Sequence, residues 1–287
     1  RWPVIRNGEY KLLQASKLKQ GDKALRTTFK DVISRRTFVN GILVAELSLG
    51  NGEAVVEIDA STLTADVNEK NVIEVKTTND TIARKLYGAI YRASCLPRTV
   101  NDVDGKYPAF STGTPIHQTA KGTNYYDDFS MWDTYRALHP LYVLLTPTKS
   151  GEMMQSLVDK YKQGGWLPIF PCWNSYTAAM IGDHCTAAIG DAYIKGVTNF
   201  DIETAYEGMR KNAFETPEKY EDYANGMGRR ALQSYKKFGY IPLEDPVKEA
   251  FHKREQTART LEYAFDDFVL AQVAKKLNKT ADYDSLI

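Results

Sequence analysis

Two stretches of this chain concentrate side chains that could recognise a sugar. The first is Tyr125-Tyr126-Asp127-Asp128-Phe129-Ser130-Met131-Trp132-Asp133-Thr134-Tyr135-Arg136. The second runs from Gly164 through Trp166, Pro168, Pro171, Trp173, Asn174 and Tyr176 and continues to Asp183-His184. A pyranose offers apolar C–H faces and hydroxyl edges. An indole or phenol stacks on the former, and Asp, Asn, His or Arg hydrogen-bonds the latter. Prolines fix loop shape without side-chain entropy, which suits a preorganised pocket. Each residue also has a structural reading. Trp132 and Trp166 serve as core anchors, Asp133 caps a helix, and Asp183-His184, set among Ala and Gly, forms a buried pair that satisfies itself. Asp266-Asp267 is expected on a partly solvated helix face. His117, His139 and His252 have no convergent partners in sequence.

Other chemistries lack their signatures. GxGxxG, GxxxxGK[ST] and GxSxG are absent, which leaves dinucleotide, P-loop and serine-hydrolase mechanisms unsupported. No HExxH occurs and the 4 histidines are scattered, so no zinc site is visible. Asn101-Asp102-Val103-Asp104-Gly105 begins like a calcium loop. Aligning Gly105 with the loop glycine, however, puts Val100 and Ser111 where acidic ligands are required. Cys95, Cys172 and Cys185 are odd in number and lack CxxC spacing, so packed thiols are expected. With 37 Lys+Arg against 36 Asp+Glu, the chain has no electrostatic footprint for nucleic acid or an anionic membrane. No apolar run approaches the ~18 residues of a membrane span.

The loops need a scaffold, and 287 residues with 43% hydrophobic content can build one. The chain changes character near residue 77. Residues 1–77 form a β-rich segment, expected to be partial because so few strands struggle to enclose a core. Within it, the runs Ile42 to Leu49 and Glu53 to Ile58 flank Gly50-Asn51-Gly52 and read as a hairpin. Residues 78–287 read as helical. A first helix, capped by Asn79 or Asp80, carries Ile82, Leu86 and Ile90 at spacing four. The others span Trp132 to Leu145 (kinked or split by Pro140), Ser150 to Gln163, and the Ala- and Gly-rich Thr177 to Lys195. A further helix follows the cap candidate Asp201, another occupies Glu218 to Phe238, and the last is Thr257 to Leu277. In that last helix, Leu261, Phe265, Phe268 and Gln272 share a face. Successive helices without intervening strands imply a solenoid or a closed α/α toroid, and no repeat of fixed period favours the solenoid.

From about Asn79 onward the sequence resembles glycoside hydrolase family 92, the calcium-dependent exo-acting α-mannosidases. The residues carrying the resemblance are Tyr91-Arg92-Ala93-Ser94 with Asn101-Asp102-Val103-Asp104-Gly105, and Trp132-Asp133-Thr134-Tyr135-Arg136-Ala137-Leu138-His139-Pro140. They continue with Tyr161-Lys162-Gln163-Gly164-Gly165-Trp166-Leu167-Pro168 and Met180-Ile181-Gly182-Asp183-His184. The resemblance implies a mainly α fold: part of an (α/α)6 barrel, preceded by a β-rich segment that ends an N-terminal β-sandwich. It implies removal of terminal α-linked mannose from glycans with inversion, assisted by calcium whose ligands the sequence does not identify. The protein would then be extracellular or periplasmic. Asp133 would hydrogen-bond the terminal mannose, with Trp166, Trp173, Asp183 and His184 lining the same pocket.

The family's general acid lies in a Tyr-x-Glu-Gly-Asn-x-Trp-Gln motif and its base in a Gly-Asn-Asp-Asp-x-Gly-Gln motif. Neither occurs here. Tyr206-Glu207-Gly208-Met209 is only superficially similar, and Glu207 is not assigned a catalytic role. The resemblance therefore implies an internal fragment without its acid/base pair, inactive alone and exposing an apolar seam. Two alternatives remain open at this stage. One is a non-catalytic sugar-binding or helical scaffold protein built on half of the barrel. The other is a different α/α-toroid enzyme.

Overall fold

The computed structural model describes residues 80–287 and, before them, the backbone of a set of strands. The chain divides into two compact units, Arg1–Ser94 with Leu144–Pro147, and Cys95–Val143 with Thr148–Ile287. In the first unit lie β1 (Trp2–Arg6), β2 (Glu9–Leu13), β3 (Ala24–Thr28), β4 (Phe38–Val39), β5 (Ile42–Ser48), β6 (Glu53–Asp59) and β7 (Glu74–Lys76). They form one sheet in the order β2-β1-β3-β5-β6-β7, with β4 on β5. All pairs are antiparallel except β3 with β5. The expected hairpin is β5–β6, in register from Ile42 opposite Asp59 to Ser48 opposite Glu53. Its Gly50-Asn51-Gly52 turn and the cap candidate Asn79 lie outside the described residues. Helix α1 (Asp80–Ala93) belongs to this unit.

The remainder is mainly helical. Short strands β8 (Arg98–Thr99), β9 (Lys106–Pro108), β10 (Ile116–Gln118) and β11 (Tyr126–Asp127) pair as β8–β11 and β9–β10. Helices α2 (Met131–Thr134), α3 (Leu138–Leu145), α4 (Pro147–Gly164), α5 (His184–Ile194) and α6 (Ile202–Phe214) follow. After them come α7 (Tyr220–Ala224), α8 (Leu232–Phe238), α9 (Gln256–Lys276) and α10 (Thr280–Leu286). The core is built around α5, whose residues Cys185 to Gly190 are all buried. Leu157 and Val158 of α4, Met209 of α6, and Leu270 and Val273 of α9 close over it. Each such aliphatic side chain contributes roughly 1.5–3 kcal/mol by leaving water. Gly190 sets the α5–α9 spacing, because a Cβ there would lie 2.3 Å from Val269 Cγ1. The small residues of this stretch do pack closely, as their composition implies.

Several expected boundaries differ, each for a local reason. The Trp132–Leu145 helix is split, but before Pro140. That proline occupies the first turn of α3, where its missing N–H leaves no helical acceptor unpaired. The Thr177–Lys195 helix begins only at His184, because Met180 (φ 63°) and Gly182 (φ 79°) adopt left-handed backbone. The Glu218–Phe238 helix becomes α7 and α8, interrupted at Gly226 (φ 100°) and Gly228 (φ 68°). Asp201 caps α6 as expected, its side chain accepting from Thr204 N at 3.1 Å. On α9 the face of Leu261, Phe265 and Phe268 is the exposed one, while Tyr263, Asp266, Leu270 and Val273 face inward. Cys185 is buried as a packed thiol and Cys95 is exposed.

Candidate active site

A buried lysine fixes the loop that leads to Asp133. Lys160 on α4 is wholly enclosed by Phe110, Tyr125 and Phe129. Its Nζ donates to Tyr125 Oη at 2.6 Å and to Tyr126 O at 2.9 Å, and it lies 3.1 Å from Asp127 Oδ1. Burial pushes this ammonium down to about 8, against the pull of the Asp127 carboxylate. The two aspartates then reach across to the second loop. Asp127 Oδ2 accepts the Asn174 N–H at 2.5 Å, and Asp128 Oδ1 accepts the Trp173 N–H at 2.7 Å. Arg98 holds the other oxygen of Asp128. The two aromatic, acidic stretches are thus stitched together.

Beyond this anchor the chain turns at Ser130, in left-handed backbone, into α2. Ser130 Oγ donates to Asp133 Oδ2 at 2.7 Å and orients a carboxylate that stays exposed. The Arg136 guanidinium lies over both the Trp132 and Tyr135 rings, at 4.6 Å and 4.7 Å from their centroids. Arg136 Nη2 also approaches Glu262 Oε1 at 3.4 Å, and Tyr135 Oη donates to Glu262 Oε2 at 3.2 Å.

Beneath this surface lies a charged interior. His184 stacks on Tyr135 with ring centroids 3.8 Å apart. Its Nδ1 hydrogen-bonds Asp266 Oδ1 at 2.9 Å, and its Nε2 lies 2.6 Å from Glu262 Oε2, an ion-pair contact off the line of a hydrogen bond. Gly182 makes this placement possible, since a Cβ there would sit 2.2 Å from His184 Nε2. Burial opposes the imidazolium, but the pairings with Asp266 and Glu262 outweigh it and raise His184 to about 9. Asp266 also accepts the Asp183 N–H at 2.6 Å. Asp183 receives Asn212 Nδ2 and Arg229 Nε, both at 3.0 Å. Arg229 continues through Nη1 to Asp267 Oδ1 at 2.6 Å. Burial raises both Asp183 and Asp266 above the usual carboxylate range.

The sign of the pH dependence follows. A histidine raised from 6.5 to about 9 contributes stability that is complete below pH 6.5 and lost as pH rises through about 9. The raised carboxylates act in the same direction. The His184 contribution to the unfolding free energy from urea titrations is expected to fall by roughly 2–3 kcal/mol between pH 6.5 and 9, and Lys160, whose ammonium is depressed to about 8 and so acts with the opposite sign, offsets part of that fall above pH 8. In Glu262→Gln the loss moves to lower pH, and a flat profile in the wild type would contradict the paired imidazolium.

Of the residues singled out in sequence, Asp133 and Trp173 stand exposed. Trp166 is buried with Phe110 and Tyr176, the latter bonding its backbone, which is the core-anchor reading. Asp183 and His184 are buried; among the described residues Asp183 pairs with the equally buried Arg229, and His184 contacts the half-buried Glu262 and Tyr135. The solvated placement of Asp266-Asp267 is corrected. Asp266 is 0% exposed and Asp267 largely enclosed, because His184 and Arg229 supply partners from other elements. Sequence reasoning missed Lys160, Arg229 and Glu262. For Glu262 a signal existed, since Glu262 and Asp266 are four apart and share one helical face. The Asn101–Gly105 segment lines a polar cleft of about 610 Å³ with Gln118 to Asn124, and Asp104 there pairs with Lys106. Among the described residues no group of three or more His, Cys, Asp or Glu side chains is arranged to hold a metal. No described helix is long and apolar enough to cross a membrane.

Comparison with known proteins assigns the class. Residues 64–287 match the family model described as Glycosyl hydrolase family 92 catalytic domain. The chain belongs to glycosyl hydrolase family 92. It is similar to a GH92 alpha-mannosidase structure from Bacteroides thetaiotaomicron, with 32% identity, a TM-score of 0.62, and coverage of 74% of this chain and 26% of that one. A GH92 inverting mannosidase from the same organism matches at 30% identity and a TM-score of 0.62, covering 74% and 27%. An uncharacterized secreted glycosidase of Arthroderma benhamiae is 28% identical over 70% of this chain and 21% of its own length. The chain thus spans about a quarter of the length of these relatives.

Proposed function

We propose that these residues form the glycan-recognition part of an exo-acting, inverting α-mannosidase, built as part of an (α/α)6 barrel. The observation that carries the reading is the exposed Asp133 carboxylate, oriented by Ser130 beside the Trp132–Arg136 stack. A carboxylate accepts from two vicinal hydroxyls of a terminal mannose, and a guanidinium donates to a ring or hydroxyl oxygen. Arg136 is held for that role by Glu262, and Glu262 by the His184 imidazolium. The stacked His184–Tyr135 pair gives the patch a rigid base. The similarity to alpha-mannosidase structures supports mannosides as the substrate class, and the relative described as secreted supports an extracellular or periplasmic location.

Inversion needs an acid and a base ~6.5–9.5 Å apart with a water between. Neither role is assigned to the described residues. Calcium remains part of the proposal through the family resemblance, and no step is derived through it. Titrating the 287-residue chain with an α-linked mannobiose in the presence of calcium is expected to give saturable binding without turnover. Turnover would contradict an acid/base pair outside these residues. If the full gene also encodes no such pair, the non-catalytic sugar-binding reading replaces the enzyme.

A further inference from the structure

We propose that His139 is an acid-sensitive latch for the loop that carries Asp133: the neutral imidazole packs against Phe129 and holds the loop closed, and a proton on that ring opens it. The ring is 1% exposed, and among the described residues neither of its nitrogens has a hydrogen-bond partner. A neutral imidazole leaves one donor and one acceptor unpaired there. An imidazolium would leave two donors and a full charge, which is far more costly in an apolar site. The surroundings offer that charge no anion. Phe129 stacks on the ring with centroids 5.8 Å apart and planes 24° apart, and Tyr142 meets it edge-on at 6.1 Å. The Tyr142 hydroxyl is turned to Leu96 O, to which it donates at 2.6 Å. Behind Tyr142 stand Tyr126 and Cys95, both uncharged at neutral and acid pH. From α4, the Lys160 ammonium lies 6.0 Å from the Phe129 ring, and it is a second cation whose carboxylate, Asp127, is already paired with it. His139 also sits in the first turn of α3, where the positive end of the helix opposes another positive charge. Burial alone lowers the imidazole to about 4, with no charged neighbour contributing.

Phe129 links this histidine to the loop. It is 0% exposed and stands between two residues in left-handed backbone, Asp128 at φ 56° and Ser130 at φ 47°. Neither is glycine, so both are held against their own preference by what surrounds them. On one side of Phe129, Arg98 and the Trp173 N–H fix Asp128. On the other, Thr134 Oγ1 donates to Phe129 O at 2.8 Å, and Ser130 leads straight to Asp133, which it orients. Expelling His139 removes the packing against Phe129 and lets Ser130 relax, so the segment that opens is Phe129 to Asp133. The sign is opposite to that of His184. A histidine lowered from 6.5 to about 4 contributes stability that is complete above pH 6.5 and lost as pH falls to about 4. The loop is therefore closed in neutral solution and opens in acid.

Hydrogen exchange at the backbone amides of residues 129–135, converted to an opening constant at each pH, tests this in the wild-type chain, with the α5 amides as the reference for global unfolding. The constant is expected to rise roughly tenfold from pH 7 to 5.5 and roughly hundredfold by pH 4. In His139→Leu, which keeps a similar volume and cannot titrate, that rise disappears. Should this variant fail to fold, an NMR titration of the wild-type ring decides. The His139 Cε1–H signal is expected to keep its neutral position to about pH 5 and to titrate together with loop opening. An imidazole that protonates near 6.5 with the loop still closed, or an acid-induced opening that His139→Leu retains in full, would overturn the inference.

Discussion

Arg229→Met is expected to lower the unfolding free energy by about 3–5 kcal/mol. The guanidinium is 0% exposed and joins two carboxylates from different elements, Asp183 before α5 and Asp267 on α9. It also lies 4.9 Å over the Tyr263 ring. Methionine fills much of the same volume but supplies no charge, so Asp183 keeps only Asn212 and a long contact to Thr186. A buried carboxylate without a cation takes up a proton, and the penalty should therefore shrink as pH falls towards 5. Urea titrations at both pH values check this. A loss below about 1 kcal/mol at pH 7, or one independent of pH, would show that the bridge contributes little beyond its packing.

Lys160→Met is the second large effect, again about 3–5 kcal/mol. Here the stranded group is Asp127, whose Oδ1 faces the ammonium while its Oδ2 holds the Asn174 N–H. The lysine also donates to Tyr125 Oη and Tyr126 O, so its loss leaves buried acceptors unpaired at the strand that enters the recognition loop. The consequence should extend to function, because Asp127 and Asp128 carry the Trp173 turn. Denaturant titration together with sugar binding is expected to show both losses. Full binding in a merely destabilised protein would mean that the loop holds its shape without Lys160.

What was legible in the sequence was local. The Asp201 cap, made to Thr204, and the end of α4 at Gly164 depend on neighbours a few positions away. What was not legible depended on partners far along the chain. Asp266 looked solvated because nothing near it in sequence neutralises it, whereas its partner His184 arrives from α5. Trp166 and Trp173 carry the same side chain, yet one is enclosed by Phe110 and Tyr176 and the other is lifted into solvent by Asp128. The exposed row of Leu261, Phe265 and Phe268 is apolar in sequence, and helical spacing alone does not say which side of α9 meets the core.

The most direct measurement of the central claim is a calorimetric titration of an α-linked mannobiose into the wild-type chain and into Asp133→Ala, with calcium present and unfolding free energy measured in parallel. Asp133 is exposed and, among the described residues, its carboxylate is bonded only to Ser130 within its own turn. The account predicts that its removal abolishes measurable binding while stability changes by no more than about 0.5 kcal/mol. Undiminished binding in Asp133→Ala, with the fold intact, would contradict it.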